Sequence, residues 1–253
     1  MAFRKLKRLG VSLDTKKMSA REVFDGCLEE LAKNYRCEYV YKSAIANRIV
    51  FGRHSPRTAG MQLELPVGDS IVDVAVFNGT STAYEVKTEF DSDKRLASQS
   101  PDYLKVFDRV YVVTHPSLAA RYLATVDPRV GVLTLNARGQ FTEVREAIGD
   151  VSRVEPRVIF RMLRRDEYMS AVAHHFGRQP KLPNGAVFAY YESLFLQFTP
   201  EQAHETFVEA LRNRTTDDAT VRYLLALPKS LRALGYATPL SSVQRDRFLK
   251  VVA

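Results

Sequence analysis

The chain has 253 residues, 45% of them hydrophobic and 26% charged, with a formal net charge of +8. That balance is ordinary for a globular protein and excludes collagen, coiled coil and long disorder; no run of about 18 apolar residues is present to span a membrane. Cys27 and Cys37, both in segments read as helical, are too few for a disulfide scaffold and, with no secretory signal, point to a reducing, cytoplasmic setting.

The first eighteen residues form a basic arm. Residues 1–20 carry six cations, Arg4, Lys5, Lys7, Arg8, Lys16 and Lys17, against the single anion Asp14. Ser19 followed by Glu22 is a capping box, and Val23, Phe24, Cys27, Leu28 and Leu31 then recur at helical spacing. A second helix is expected from about Cys37 to Phe51, stopped by Gly52. From Met61 the period changes to two, with Leu63 and Leu65 alternating with Gln62 and Glu64 until Pro66 and Gly68. Two apolar runs, Ile71–Phe77 and Ser81–Thr88, flank Asn78-Gly79-Thr80 and predict a β-hairpin. A helix over about 92–106, bent at Pro101, precedes a buried strand over 110–114, a helix over 118–125 and strands over 130–135 and 141–144. Alternating strands and helices make residues 19–150 an α/β core.

Beyond about residue 152 the strand signals stop. Helices are expected over 156–176, 185–197, 217–227 and 240–251, with another opened by the cap Thr199-Pro200-Glu201-Gln202. Residues 151–253 therefore read as an all-helical C-terminal domain, with roles in partner recognition, DNA binding or homodimer formation all open. Arg157, Arg161, Arg164 and Arg165 recur at spacings of three and four on the first of these helices and offer, with Lys42 and the basic arm, a surface for phosphates.

The chemistry concentrates on the hairpin. Glu85 and Lys87 are two apart and share a strand face. A three-residue turn over Asn78–Thr80 pairs Phe77 with Ser81 and hence Asp73 with Glu85, whereas a two-residue turn sends the two carboxylates to opposite faces. Opposed carboxylates among apolar residues repel, and a divalent cation resolves that repulsion. Hard oxygen ligands with open positions suit Mg²⁺ or Mn²⁺, which lower the pKa of bound water, and Lys87 would serve that water or the charge on phosphate. The plain alternative is a solvent-facing ion pair. No phosphate-binding glycine loop, dinucleotide fingerprint or zinc spacing among the five histidines accompanies these residues.

This stretch resembles the PD-(D/E)XK nuclease superfamily. An acid, Asp73, is followed by the turn at Asn78-Gly79 and by Glu85-Val86-Lys87, and Gln99-x-x-x-Tyr103 looks like the RecB-like Gln-x-x-x-Tyr motif. The segment Glu38–Lys42 is similar to the superfamily's first active-site helix, which often contributes a glutamate. Over about residues 36–135 the resemblance is to a poorly characterised bacterial group; Val72, not proline, precedes Asp73. The resemblance implies a restriction-endonuclease-like core with a mixed sheet flanked by helices. It also implies Mg²⁺ held by Asp73, Glu85 and the Val86 carbonyl, with Glu38 assisting and Gln99 and Tyr103 steadying the site. The expected activity is endonucleolytic hydrolysis of phosphodiesters, in double-stranded DNA or alternatively RNA, by a protein with a place in phage defence or a mobile element. A docking module on the same fold, without chemistry, is the competing expectation.

Overall fold

The computed structural model describes residues 18–89 and 96–252, with side chains described over 18–89 and 100–252. Arg4, Lys5, Lys7 and Arg8 of the basic arm lie outside the described residues, as do Asp91, Asp93 and Arg95 before the third helix.

Helix α1 (Ala20–Asn34) begins where the capping box places it: the Glu22 carboxylate accepts the Ser19 N–H at 2.8 Å, and Ser19 Oγ accepts the Glu22 N–H at 3.3 Å. Helix α2 (Glu38–Ala44) runs without a break into a π-helix over Ile45–Arg53. The sequence pattern therefore located this helix but not its change of pitch.

Six strands follow: β1 (Gly60–Val67), β2 (Ser70–Phe77), β3 (Ser81–Lys87), β4 (Arg109–Thr114), β5 (Gly131–Leu135) and β6 (Phe141–Arg145). They lie side by side in chain order. β1, β2 and β3 are antiparallel neighbours, β3, β4 and β5 are parallel, and β6 returns antiparallel. The parallel steps need crossovers, supplied by α3 (Leu96–Leu104) and α4 (Ala119–Thr125). Pro66 is tolerated inside β1 because β1 is an edge strand.

Both faces of the sheet are covered, which explains why β2, β4 and β5 read as nearly continuous apolar runs. One face buries Ala75, Phe77, Ala83, Val110, Val112 and Val132 in a core shared with Tyr103, Phe107 and residues of the C-terminal helices. The other buries Val74, Val76, Tyr84, Val86, Val113 and Leu133 against α2 and the π-helix. The fold is thus mixed α/β, a six-stranded mixed sheet flanked by helices and followed by a helical region.

That region comprises α5 (Pro156–Met162), α6 (Arg165–Phe176), α7 (Asn184–Phe195), α8 (Pro200–Asn213), α9 (Asp218–Ala226), α10 (Arg232–Ala237) and α11 (Ser242–Val252). The single helix expected over 156–176 is two, because Leu163 and Arg164 turn to extended backbone. Glu167 accepts the Arg164 N–H at 2.7 Å, capping the new helix, and the Arg214 guanidinium takes the Met162 carbonyl at 3.1 Å while clamping Glu167 at 2.6 and 2.8 Å. The short α10 was not anticipated. No helix among the described residues is long and apolar enough to cross a membrane.

Helix α8 closes the core. Phe207 meets Phe77 edge-on at 5.2 Å between ring centres and Phe107 at 5.8 Å. Beside it, buried His204 Nε2 and Ser81 Oγ share a 2.8 Å hydrogen bond at the first residue of β3. Gly60 lets β1 approach this helix, since a Cβ there would lie 2.5 Å from the Arg212 Cα. A Phe207→Ala substitution is expected to cost about 3–5 kcal/mol. In urea titration, sheet and C-terminal helices should still unfold in one transition at a lower midpoint, whereas two separated transitions would show that they do not share a core.

Candidate active site

The turn decides what the hairpin presents. Asn78 N–H donates to the Thr80 carbonyl at 3.0 Å, with Gly79 at φ 70°, a left-handed conformation that glycine adopts at little cost. The turn is held from outside. His54 Nδ1 accepts from the Asn78 amide at 2.7 Å, and Thr80 Oγ1 donates to Asp108 at 2.8 Å. Phe77 consequently pairs with Ser81 and Val74 with Tyr84, the register of a three-residue turn. One step further along that register, Asp73 stands across from Glu85.

The ladder is interrupted at Asp73. Its pairing with β3 ends at Val74, and Asp73 Oδ2 accepts the Val86 N–H at 2.7 Å. Toward β1, Leu63 pairs with Val74 and Leu65 with Val72, but the Glu64–Asp73 pair between them is missing. Glu64 has φ 50°, the one positive φ among the described non-glycine residues. A glutamate there is strained backbone of the kind that concentrates at functional sites.

Glu85 is 2% exposed and Lys87 8%, so the pair is not a solvent-facing one. Lys87 Nζ lies 2.6 Å from Glu85 Oε1. The Tyr103 hydroxyl lies 2.9 Å from Glu85 Oε2 and 2.6 Å from the Ile71 carbonyl, with one proton to share between them. Tyr103 thus ties α3 both to β3 and to the start of β2. Burial raises its phenol far above the usual range, and the Glu85 charge adds to that.

Asp73 carries the electrostatic strain. Burial first, and the negative charge of Glu85 second, push its carboxyl up to about 7, against the lowering effect of the Val86 hydrogen bond. Lys42 is the nearest counterweight. It was expected on a nucleic-acid-facing surface; instead it is 6% exposed, its ammonium paired with Glu38 and 3.3 Å from Glu64. Burial alone would lower its pKa, but Glu38, Asp73 and Glu64 together hold it above the ordinary lysine value. Glu38 itself is half exposed at the rim.

The structure thus gathers Asp73, Glu85, Val86, Lys87, Tyr103 and, at the edge, Glu38 with Lys42 and Glu64. Gln99 falls on α3, but its side chain lies outside the described residues. The four arginines do not share one helix face. Arg157 and Arg161 on α5 lie 3.2 and 3.9 Å from Glu192, and Arg165 donates to Asn184 at 3.1 Å. Arg164, at the start of α6, faces a cleft between α6 and α8 instead. The sequence places Glu64 on the strand before Asp73, as a solvated residue or a ligand for a second metal, and the structure has it exposed on β1; its left-handed backbone and the burial of Lys42 were missed.

No group of three or more His, Cys, Asp or Glu side chains fit to hold a metal stands together among the described residues. Buried Glu85, the partly buried Asp73 and the neighbouring Val86 carbonyl match the donor set of Mg²⁺, which keeps several waters and takes one or two carboxylates. The raised Asp73 is the observation that fits, since a cation would relieve it.

The same group generates a pH signature. Asp73 is protonated more readily in the folded chain than in the unfolded one, so its contribution to stability is full below about pH 4 and is lost as the pH rises through about 7. Asp73→Asn keeps the shape without the charge. In EDTA the variant should match wild type near pH 4 and exceed it near pH 8 by on the order of 4 kcal/mol. Denaturation at the two pH values measures this; an equal difference at both would show that Asp73 does not titrate between them.

Protein cII of Enterobacteria phage P4 is 33% identical over 86 residues, a match covering 34% of this chain and 32% of that protein. The chain thus spans about a third of the length of that relative in the aligned part. A protein of unknown function from Silicibacter pomeroyi superposes over 49% of this chain and 85% of its own at 17% identity, with a TM-score of 0.33. The family model for bacteriophage P4 protein cII matches residues 31–234, and the chain belongs to that family.

Proposed function

We propose that this protein is a metal-dependent nuclease that hydrolyses phosphodiester bonds, most readily in DNA, on a PD-(D/E)XK-type core. The observation that carries the reading is the meeting of the partly buried Asp73 with buried Glu85 and Lys87 where the sheet ladder is interrupted. A carboxylate pair of this kind is costly to the fold and contributes nothing to packing. Its retention makes chemical sense when a cation and a phosphate come to it.

Asp73, Glu85 and the Val86 carbonyl would hold Mg²⁺ or Mn²⁺, with Glu38 at the rim. The bound metal would supply a Lewis acid and lower the pKa of coordinated water. The chain's own residues do the rest. Tyr103 fixes Glu85 by its 2.9 Å hydrogen bond and holds the start of β2 through Ile71. Lys87 neutralises Glu85 in the resting site and would turn its charge to the phosphate as water attacks phosphorus and an ester oxygen leaves. Lys42, buried among Glu38, Glu64 and Asp73, keeps the acidic rim from repelling the substrate. The exposed Arg157 and Arg161 and the basic first eighteen residues would grip the backbone through phosphates, giving salt-sensitive binding with little sequence preference. A bacteriophage relative is in keeping with a cytoplasmic enzyme of a mobile element.

One observation favours a second reading, a nucleic-acid or protein docking module without chemistry: both oxygens of Glu85 already have partners within the chain, Lys87 and Tyr103. Incubation with supercoiled plasmid, single-stranded DNA and RNA in Mg²⁺, Mn²⁺ or EDTA separates the two. Metal-dependent cutting of DNA is expected from wild type, with a loss of on the order of a hundredfold or more in Asp73→Asn and Lys87→Ala. Mg²⁺ should also raise the melting temperature of wild type at pH 8 and leave that of Asp73→Asn unchanged. Cutting that survives both substitutions would overturn the site. A gel shift in EDTA with no cutting and no Mg²⁺-induced stabilisation would establish the docking module instead.

A further inference from the structure

The face of the sheet opposite Glu85 and Lys87 carries a second site. A cavity of about 270 Å³ opens between the π-helix and the strands, lined by Arg48 and Arg53 on one wall, Tyr84 and Tyr111 on the floor, and Phe141 and Glu143 on the edge strand β6. We propose that this cavity binds one nucleotide, its phosphate on Arg48 and Arg53 and its base against the aromatic residues, with Glu143 at the base edge.

The π-helix makes the phosphate end. Arg48 and Arg53 are five residues apart, which on an α-helix would turn them about 140° away from each other. The i to i+5 hydrogen bonding of a π-helix brings them to one face, and the His54 N–H to Ile49 carbonyl bond at 3.0 Å closes that wider turn. A π-helix is costly and recurs at functional sites, and here it sets two guanidiniums beside one opening. Both arginines are exposed, and neither has a carboxylate within 4 Å among the described residues. Paired arginine forks match the oxygens of a phosphate.

The rest of the lining selects a flat ring. Tyr84 and Tyr111 are buried and stacked on each other, 5.8 Å between ring centres and 15° from parallel, so they form a flat floor, and half-buried Phe141 beside them is the ring most open to a base. Aromatic surfaces of this kind stack bases without distinguishing among them. Glu143 accepts the Tyr111 hydroxyl at 2.6 Å and keeps a second carboxylate oxygen for a ring amino group. Its negative charge also turns the phosphate toward the arginines, so the ligand has one orientation. The volume is of the order of a small-ligand site. The ligand's source is either a free nucleotide or the unpaired end of a strand. The site stands apart from the carboxylates and does not depend on the nuclease reading.

Calorimetric titration of the full chain in EDTA tests it, with deoxyadenosine 5′-monophosphate, deoxyadenosine and inorganic phosphate as probes. The monophosphate should bind more tightly than either half by roughly tenfold or more. Arg48→Ala/Arg53→Ala should weaken it by on the order of tenfold or more with the melting temperature kept, since both side chains are exposed. The charge-keeping Arg53→Lys should fall between, and Asp73→Asn should leave binding unchanged. A 5′-phosphorylated trinucleotide that binds more tightly than the monophosphate identifies a strand end as the source, and one that binds more weakly identifies the free nucleotide. Inorganic phosphate binding as tightly as the nucleotide, indifference to the arginine substitutions, loss in Asp73→Asn, or no heat with any probe would each overturn the proposal.

Discussion

A carboxylate and an ammonium at the middle of a covered sheet have no water to turn to, and the rest of this structure is arranged around that fact. Glu85 and Lys87 neutralise each other at 2.6 Å, and Tyr103 supplies the hydrogen bond that the second oxygen of Glu85 needs. The charge that remains unanswered belongs to Asp73, and it is expressed as a carboxyl pushed up to about 7. Breaking one partner of such a set costs more than the set contributes, because it strands a buried charge. The tyrosine, the lysine and the two acids are therefore one unit, fixed by α3 on one side and by the hairpin on the other.

The hairpin is where sequence and structure agree most closely. Asn78-Gly79-Thr80 specifies both a turn and, through its length, a register, and register alone brings Asp73 across from Glu85. The helix caps were equally legible, because Ser19 with Glu22 and Thr199 with Gln202 are local signals that need no tertiary partner. What could not be read depends on residues far away in the chain. The helix expected over 156–176 breaks because Arg214, some fifty residues on, takes the Met162 carbonyl and holds Glu167 in its capping position. Lys42 looked like a surface lysine in an i,i+4 pair with Glu38, a pairing the structure keeps. Its ammonium also lies 3.3 Å from Glu64, whose unusual backbone no local pattern announces. The π-helix was hidden because nothing in Ile45–Arg53 marks a change of pitch, and on an α-helix Arg48 and Arg53 read as belonging to different faces.

The two faces of the sheet divide the work of the molecule. On one, charged groups of β2 and β3 emerge beside α3 at the interrupted ladder. On the other, alternate residues of the same strands face the π-helix and end in tyrosine rings. Tyr84 and Glu85 are consecutive on β3, so the strand cannot shift at one face without moving a side chain at the other. The strand is also pinned at its start, where buried His204 meets Ser81 and the Asp108 N–H donates to the same serine oxygen at 3.1 Å.

The order of the strands carries a consequence for how the chain is made. Each strand pairs with the one before it in sequence, so the sheet can grow as the chain leaves the ribosome, one neighbour at a time. Its closing surface does not arrive in the same order. Phe77 and Phe107 wait for Phe207, and β1 waits for the helix that Gly60 allows to approach. A nascent chain that has completed β6 still presents these aromatic rings to solvent, with β1 as an unprotected edge. The last third of the chain thus supplies the cover for a sheet whose strands all precede it, and a chain cut before residue 200 lacks the Phe207 that closes over Phe77 and Phe107.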